Sequence, residues 1–115
     1  MAGDVNCVKE IRREGEAVVV TLAGEIDLHH APEVHKELVE VCRVKPARLV
    51  INLGDVGHMD SSGIGTLVEL FRRVNAYRGE LILCGMNERV RSVFEITKLD
   101  HFFSICDTEA EALTG

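Results

Sequence analysis

The chain has 115 residues, a formal net charge of −6, and 46% hydrophobic against 28% charged residues, the make-up of one ordinary soluble globular domain spanning residues 1–115. Aromatic residues make up only 4% and tryptophan is absent, so the expected core is aliphatic. No basic stripe interrupts the acidic balance, no window reaches the ~20 apolar residues of a membrane span, and no signal-peptide core opens the chain, so neither nucleic acid nor membrane is an expected partner.

Val5 to Ile11 reads as a weak strand, and the turn Glu14-Gly15-Glu16 leads into a strong one, Ala17 to Leu22, together an antiparallel hairpin. Gly24 to His30 reads as a loop. Pro32 suits the first position of a helix, whose buried stripe is Val34, Leu38, Val41 and Cys42, while Glu33, Lys36, Glu37 and Glu40 face water. Ala31-Pro32 opens that helix with no hydroxyl or acid cap. Pro46 ends the connection, and Arg48 to Leu53 is a nearly continuous apolar strand, as expected where both faces are covered. A short loop with Gly54 and Gly57 follows.

Ile64, Leu67, Val68, Phe71 and Val74 then fall at helical spacing, predicting a helix from about Ser61 to Tyr77 with Gly79 as its cap. Leu81 to Cys84 is another doubly covered strand. Asn87 caps a third helix carrying Val90, Val93 and Phe94, and Phe102 to Cys106 is a short last strand. Thr108-Glu109-Ala110-Glu111 matches a capping box opening a terminal helix. The sum is an α/β fold: a mixed sheet with an initial antiparallel hairpin, later strands largely parallel, and four helices packed on it.

Asp60, Ser61 and Ser62 sit where the strand-loop-helix unit opens its helix, the kind of junction at which open α/β sheets gather their sites. Free backbone N–H groups and the positive end of the helix dipole favour negative charge there, so one of the hydroxyls could carry a phosphate without unfolding the domain. The plainer reading is that Asp60 or a serine is an N-cap and that Gly63 and Gly65 let the helix approach a neighbour closely. Yet one cap needs one side chain and three polar ones are present. Two glycines in the first turn also cost roughly 1 kcal/mol each in helix stability. His58 stands three residues before Ser61, but the G-x-S-x-G elbow and the phosphate-cradling G-x-x-x-x-G-K-[ST] pattern are both absent, which argues against hydrolase or nucleotidase chemistry. Cys7, Cys42, Cys84 and Cys106 are scattered beside apolar runs and read as reduced, mostly buried thiols. With the histidines they offer no zinc spacing.

Gly24-Glu25-Ile26-Asp27, Val50-Ile51-Asn52-Leu53, Met59-Asp60-Ser61-Ser62-Gly63-Ile64-Gly65 and Asp107-Thr108-Glu109-Ala110 resemble the anti-sigma factor antagonists, members of the STAS domain family also found in sulfate-transporter tails. The likeness covers about residues 5–113. It implies a STAS-like sheet and a phosphoacceptor at Ser61, supported by Asp60, Ser62 and Gly63. The expected partner-binding surface lies among Glu25, Asp27, His58, Met59 and Ile64, although Glu25 and Asp27 equally suit a solvated loop. The implied partner is an anti-sigma factor that is itself a serine kinase using ATP and magnesium. The unphosphorylated chain binds it and frees a sigma factor, and a serine phosphatase reverses the modification. The resemblance implies a cytoplasmic binding protein, monomeric when free, with no catalytic residue, metal or cofactor of its own. The alternative is a STAS subunit of a membrane transport complex docking on its ATPase, in which the same serine is structural.

Overall fold

A computed structural model describes residues 7–114. Nine elements follow in order: β1 (Val8–Glu14), β2 (Ala17–Ile26), α1 (Ala31–Cys42), β3 (Arg48–Met59), α2 (Ser61–Ala76), β4 (Glu80–Cys84), α3 (Glu88–Ile96), β5 (Ser104–Cys106) and α4 (Glu109–Thr114). The five strands lie side by side in sequence order, β1 antiparallel to β2 and every later pair parallel. The β1–β2 hairpin closes through Gly15 and Glu16, with Glu14 opposite Ala17. Gly15 takes φ +63° at the first loop position, which a type II′ turn gives to glycine. That turn sets the register, and β1 therefore runs on to Glu14 instead of stopping at Ile11. Val5, the expected start, lies outside the described residues.

Consecutive parallel strands that are also neighbours need crossovers of one hand, which puts the connecting helices on one face of the sheet. Accordingly Val34 and Leu38 of α1, Leu67, Leu70 and Val74 of α2, and Val90 and Phe94 of α3 pack on Val18, Val20, Leu22, Leu49, Ile51, Leu53, Leu81 and Leu83. Each fully buried aliphatic side chain contributes about 1.5–3 kcal/mol by leaving water. The alternate positions Val19, Val50, Ile82 and Cys84 face the other way and are covered by Ala112 and Leu113 of α4. A six-residue helix has no independent stability. It is pinned by Asn52 Nδ2 donating to Glu109 Oε1 (3.0 Å), by Arg12 on the second Glu109 oxygen, and by Arg48 Nη1 donating to the Ala112 carbonyl (3.0 Å). Both faces of the central strands are thus covered, the physical reason for their unbroken apolar runs.

Two strands are longer than the sequence pattern suggests. β2 continues through Gly24 and Glu25 to Ile26, and β3 continues through Gly54 and Gly57 to Met59, paired as Ala23↔Asp55, Gly24↔Val56, Glu25↔His58 and Ile26↔Met59. Register shifts after Thr21 and after Gly24 absorb the irregularity. Parallel pairing across these segments outweighs the low strand preference of the glycines. At the other end, β5 begins at Ser104, because Phe102 and Phe103 instead close an aromatic cluster with Phe71 and Phe94.

The helix ends are mostly local. Asn87 Oδ1 accepts from Val90 N–H (2.8 Å), and Thr108 with Glu111 forms the reciprocal box at 3.1 and 3.2 Å. At the end of α2, Gly79 N–H donates to the Val74 carbonyl and Arg78 N–H to Asn75, a Schellman pair. The left-handed residue in it is Arg78 (φ +66°), not Gly79. Lys98 (φ +64°) repeats the arrangement after α3, with Leu99 N–H on the Phe94 carbonyl.

Candidate functional site

The extensions of β2 and β3 carry both strands to the N-terminus of α2. Asp60 is the N-cap: its backbone is extended (φ −103°, ψ −170°) and its Oδ1 accepts from Ser62 N–H at 2.8 Å. Its own N–H donates to the Ile26 carbonyl (3.2 Å), tying the helix start to the last residue of β2. Gly63 is buried at this seam. A Cβ there would lie 2.6 Å from Met59 Cγ and 2.9 Å from both Ile26 Cγ2 and the Ile26 carbonyl oxygen. Gly63 is therefore a close-approach glycine. Gly65 is exposed and a Cβ there would meet nothing within 4 Å, so internal packing does not explain it.

Ser61, the first residue of α2, is exposed, and its hydroxyl has no intramolecular partner among the described residues. Ser62 is half-buried, and its carbonyl accepts from Thr66 Oγ1 at 3.1 Å. The capping duty thus falls on Asp60, which leaves the Ser61 hydroxyl free. Such a hydroxyl sits in the positive field of a sixteen-residue helix, where a phosphate dianion is tolerated by the fold.

The neighbouring loop completes the surface. Asp27, Leu28, His29 and Asp60 line one shallow open depression. Leu28 is 74% exposed, an aliphatic side chain standing in solvent beside the helix start. Asp27 Oδ1 accepts from both the backbone N–H (3.0 Å) and Nδ1 (2.8 Å) of His30, and its carbonyl accepts from Ala31 N–H (2.8 Å). These contacts, the His30 ring first, hold the Asp27 carboxyl below the usual range. α1 itself opens with no side-chain cap, as its sequence suggests: its N-cap is His30, and Asp27 closes the turn before it, which leaves His30 paired and half-buried.

Of the five residues expected to meet a partner, Glu25 is exposed, and His58, its cross-strand neighbour, and Asp27 are half-buried on the same rim. Met59 (1% exposed) and Ile64 (6%) are core side chains: they close the hydrophobic seam under the α2 N-terminus and present no contact surface. Leu28 adds an exposed apolar side chain to this rim, next to Asp27 and His29. Among the described residues no helix is long and apolar enough to cross a membrane.

A parallel sheet entered through an antiparallel hairpin, with a polar helix start at the end of its longest strand, defines a class that sequence comparison names directly. Residues 8–112 match the STAS domain, and the chain belongs to that family. It is similar to the anti-sigma-B factor antagonist of Listeria monocytogenes, with 38% identity over 100 residues, covering 86% of this chain and 87% of the relative. Among solved structures it is similar to an anti-sigma factor antagonist from Mycobacterium paratuberculosis (TM-score 0.84, 27% identity, 91% of this chain and 89% of the other). It is also similar to the anti-sigma factor antagonist SpoIIAA, known in an unphosphorylated form (TM-score 0.70, 25% identity, 90% and 93% covered) and, from Bacillus, in a phosphorylated form (TM-score 0.69, 26% identity, 90% and 95% covered).

Proposed function

We propose that this chain is a cytoplasmic anti-sigma factor antagonist and that Ser61 is its phosphoacceptor. In this reading the unphosphorylated protein binds an anti-sigma factor that is also a serine kinase, thereby releasing a sigma factor. Phosphorylation at Ser61 ends the complex, and a serine phosphatase restores it. The chain is the kinase's substrate and performs no catalysis itself. The observation that carries the reading is the exposed, unpartnered Ser61 hydroxyl at a helix start whose cap is already supplied by Asp60. The similarity to relatives named as anti-sigma factor antagonists, one of them known with and without phosphate, supports it.

The physics of such a switch is local. A phosphate adds about −1.5 to −2 charges. On the free domain the α2 dipole offsets that charge. In an interface the dianion is desolvated, next to Asp60 and across from Asp27 and Glu25. Moving a complex from mostly bound to mostly free requires ~3–5 kcal/mol, within reach of one unpaired buried dianion. The partner surface in this reading is Glu25, Asp27, Leu28, His58 and the exposed edge of α2 at Ser61.

Pull-down from the native cell, with mass spectrometry of both the captured protein and the modified peptide, identifies the anti-sigma factor and the acceptor residue. Calorimetry with that partner then compares variants: Ser61→Ala binds and resists modification, and Ser61→Asp binds distinctly more weakly. Equal affinities for the two variants, or phosphate on another residue, refute the switch.

A further inference from the structure

β4 and β5 pair in parallel with Cys84 directly opposite Cys106. Both thiols face the α4 side of the sheet: Cys84 belongs to the cluster of Val19, Val50, Ile82 and Ala112, and Cys106 packs against it. Neighbouring strands lie ~4.7–4.9 Å apart, inside the ~4.4–6.8 Å Cα separation that a disulfide accepts. Cys7 belongs to the cluster on the opposite face of the sheet and Cys42 ends α1, and neither has a cysteine as register partner. All four thiols are free.

We propose that Cys84 and Cys106 are an oxidisable dithiol pair, a redox modification site beneath α4 that hydrogen peroxide closes to a disulfide. Cys106 is half-buried, its Sγ donating to the Thr108 carbonyl (3.7 Å), and it meets the oxidant; Cys84, 0% exposed, resolves. The Cys106 thiolate attacks one peroxide oxygen, giving a sulfenic acid and hydroxide, which becomes water with the proton the thiol has lost. The Cys84 sulfur then displaces hydroxide from the sulfenic sulfur, and that hydroxide leaves as a second water with the Cys84 proton. Two thiols give up two electrons, peroxide accepts them, and one S–S bond replaces two S–H bonds.

The environment sets the rate. Burial first, then Glu111 and Asp107, push the Cys106 thiol up, with Arg91 3.5 Å from Asp107 offsetting part of that field. Burial, Cys106 and Glu109 push Cys84 up to about 11, Glu109 itself being paired to Arg12. The thiolate fraction is therefore small at neutral pH, and oxidation speeds up about tenfold per pH unit as long as the pH stays below the thiol's own value. The bridge then pins β5 to β4 and raises the melting temperature by restricting the unfolded chain.

The test exposes the full-length protein to hydrogen peroxide at pH 7 and pH 8, alkylates the remaining thiols, and maps linked peptides by mass spectrometry. The expected result is a Cys84–Cys106 linkage, about tenfold faster at the higher pH, reversed by dithiothreitol, with Cys7 and Cys42 still alkylated. Cys106→Ser, an exchange at the half-buried position, removes the linkage and leaves Cys84 alkylated on unfolding. Recovery of all four alkylated cysteines after peroxide, or a linkage of Cys84 to any other cysteine, overturns the proposal.

Discussion

Gly63→Ala and Gly65→Ala change the same helix two residues apart and move stability in opposite directions. In a helix, alanine is favoured over glycine by about 1 kcal/mol. At Gly65 nothing opposes that gain, because the new methyl group enters open space, and the variant is stabilised by roughly 0.5–1 kcal/mol. At Gly63 the methyl group falls 2.6 Å from Met59 Cγ and 2.9 Å from the Ile26 carbonyl oxygen. The methionine can swing aside, but the carbonyl is backbone and also accepts the Asp60 N–H. Relieving the overlap pulls the helix start off β2, at about 1–3 kcal/mol for overpacking and ~1 kcal/mol for the lost hydrogen bond. After the propensity gain, the net is a loss of about 1–3 kcal/mol. Urea unfolding followed by circular dichroism resolves a gap of that size, read as a change in midpoint at constant slope. Shifts of the same sign, or Gly63→Ala within about 0.5 kcal/mol of the parent, refute the close-approach account of Gly63.

Asp27→Ala removes the carboxylate that closes the turn before α1 through His30, and is expected to cost ~1 kcal/mol in the same unfolding assay; an unchanged midpoint contradicts the assignment. Arg78→Gly and Lys98→Gly relieve left-handed backbone at φ +66° and +64°, and each is expected to stabilise by about 1 kcal/mol, additively because the sites share no partner. Glu109 accepts from Asn52 and pairs with Arg12, and these contacts hold its carboxyl below the ordinary range. A carboxylate depressed on folding adds stability above its unfolded value of ~4.3 and loses it as pH falls through the folded value. Glu109→Gln is therefore less stable than the parent at pH 7, and the gap narrows as pH falls below ~4.3, as denaturation across that range checks; a gap that does not change with pH refutes the pairing.

Much of this molecule was readable along the chain, and the readable parts have a common character: they are local. The stripe of α2, the cap at Asn87, the Thr108–Glu111 box and the continuous runs of β3 and β4 depend on residues a few positions apart. The exposed-hydroxyl site was legible for the same reason, since Asp60 caps through the N–H two residues on. What local pattern could not supply was anything settled between distant segments. Gly24, Gly54 and Gly57 look like loop residues until β2 and β3 pair beside each other, and their extension is what delivers Ile26 and Met59 to the helix start. The Asp27–His30 turn before α1 was hidden in what reads as a plain loop.

Burial divided the motif in the same way. Met59, Ser61 and Ile64 stand within six positions, yet the seam between α2 and the ends of β2 and β3 buries the first and last and leaves the serine in water. Periodicity tells which residues can share a face, because side-chain direction follows backbone repeat. Which face another element covers depends on contacts across tens of residues, and only the assembled sheet decides it.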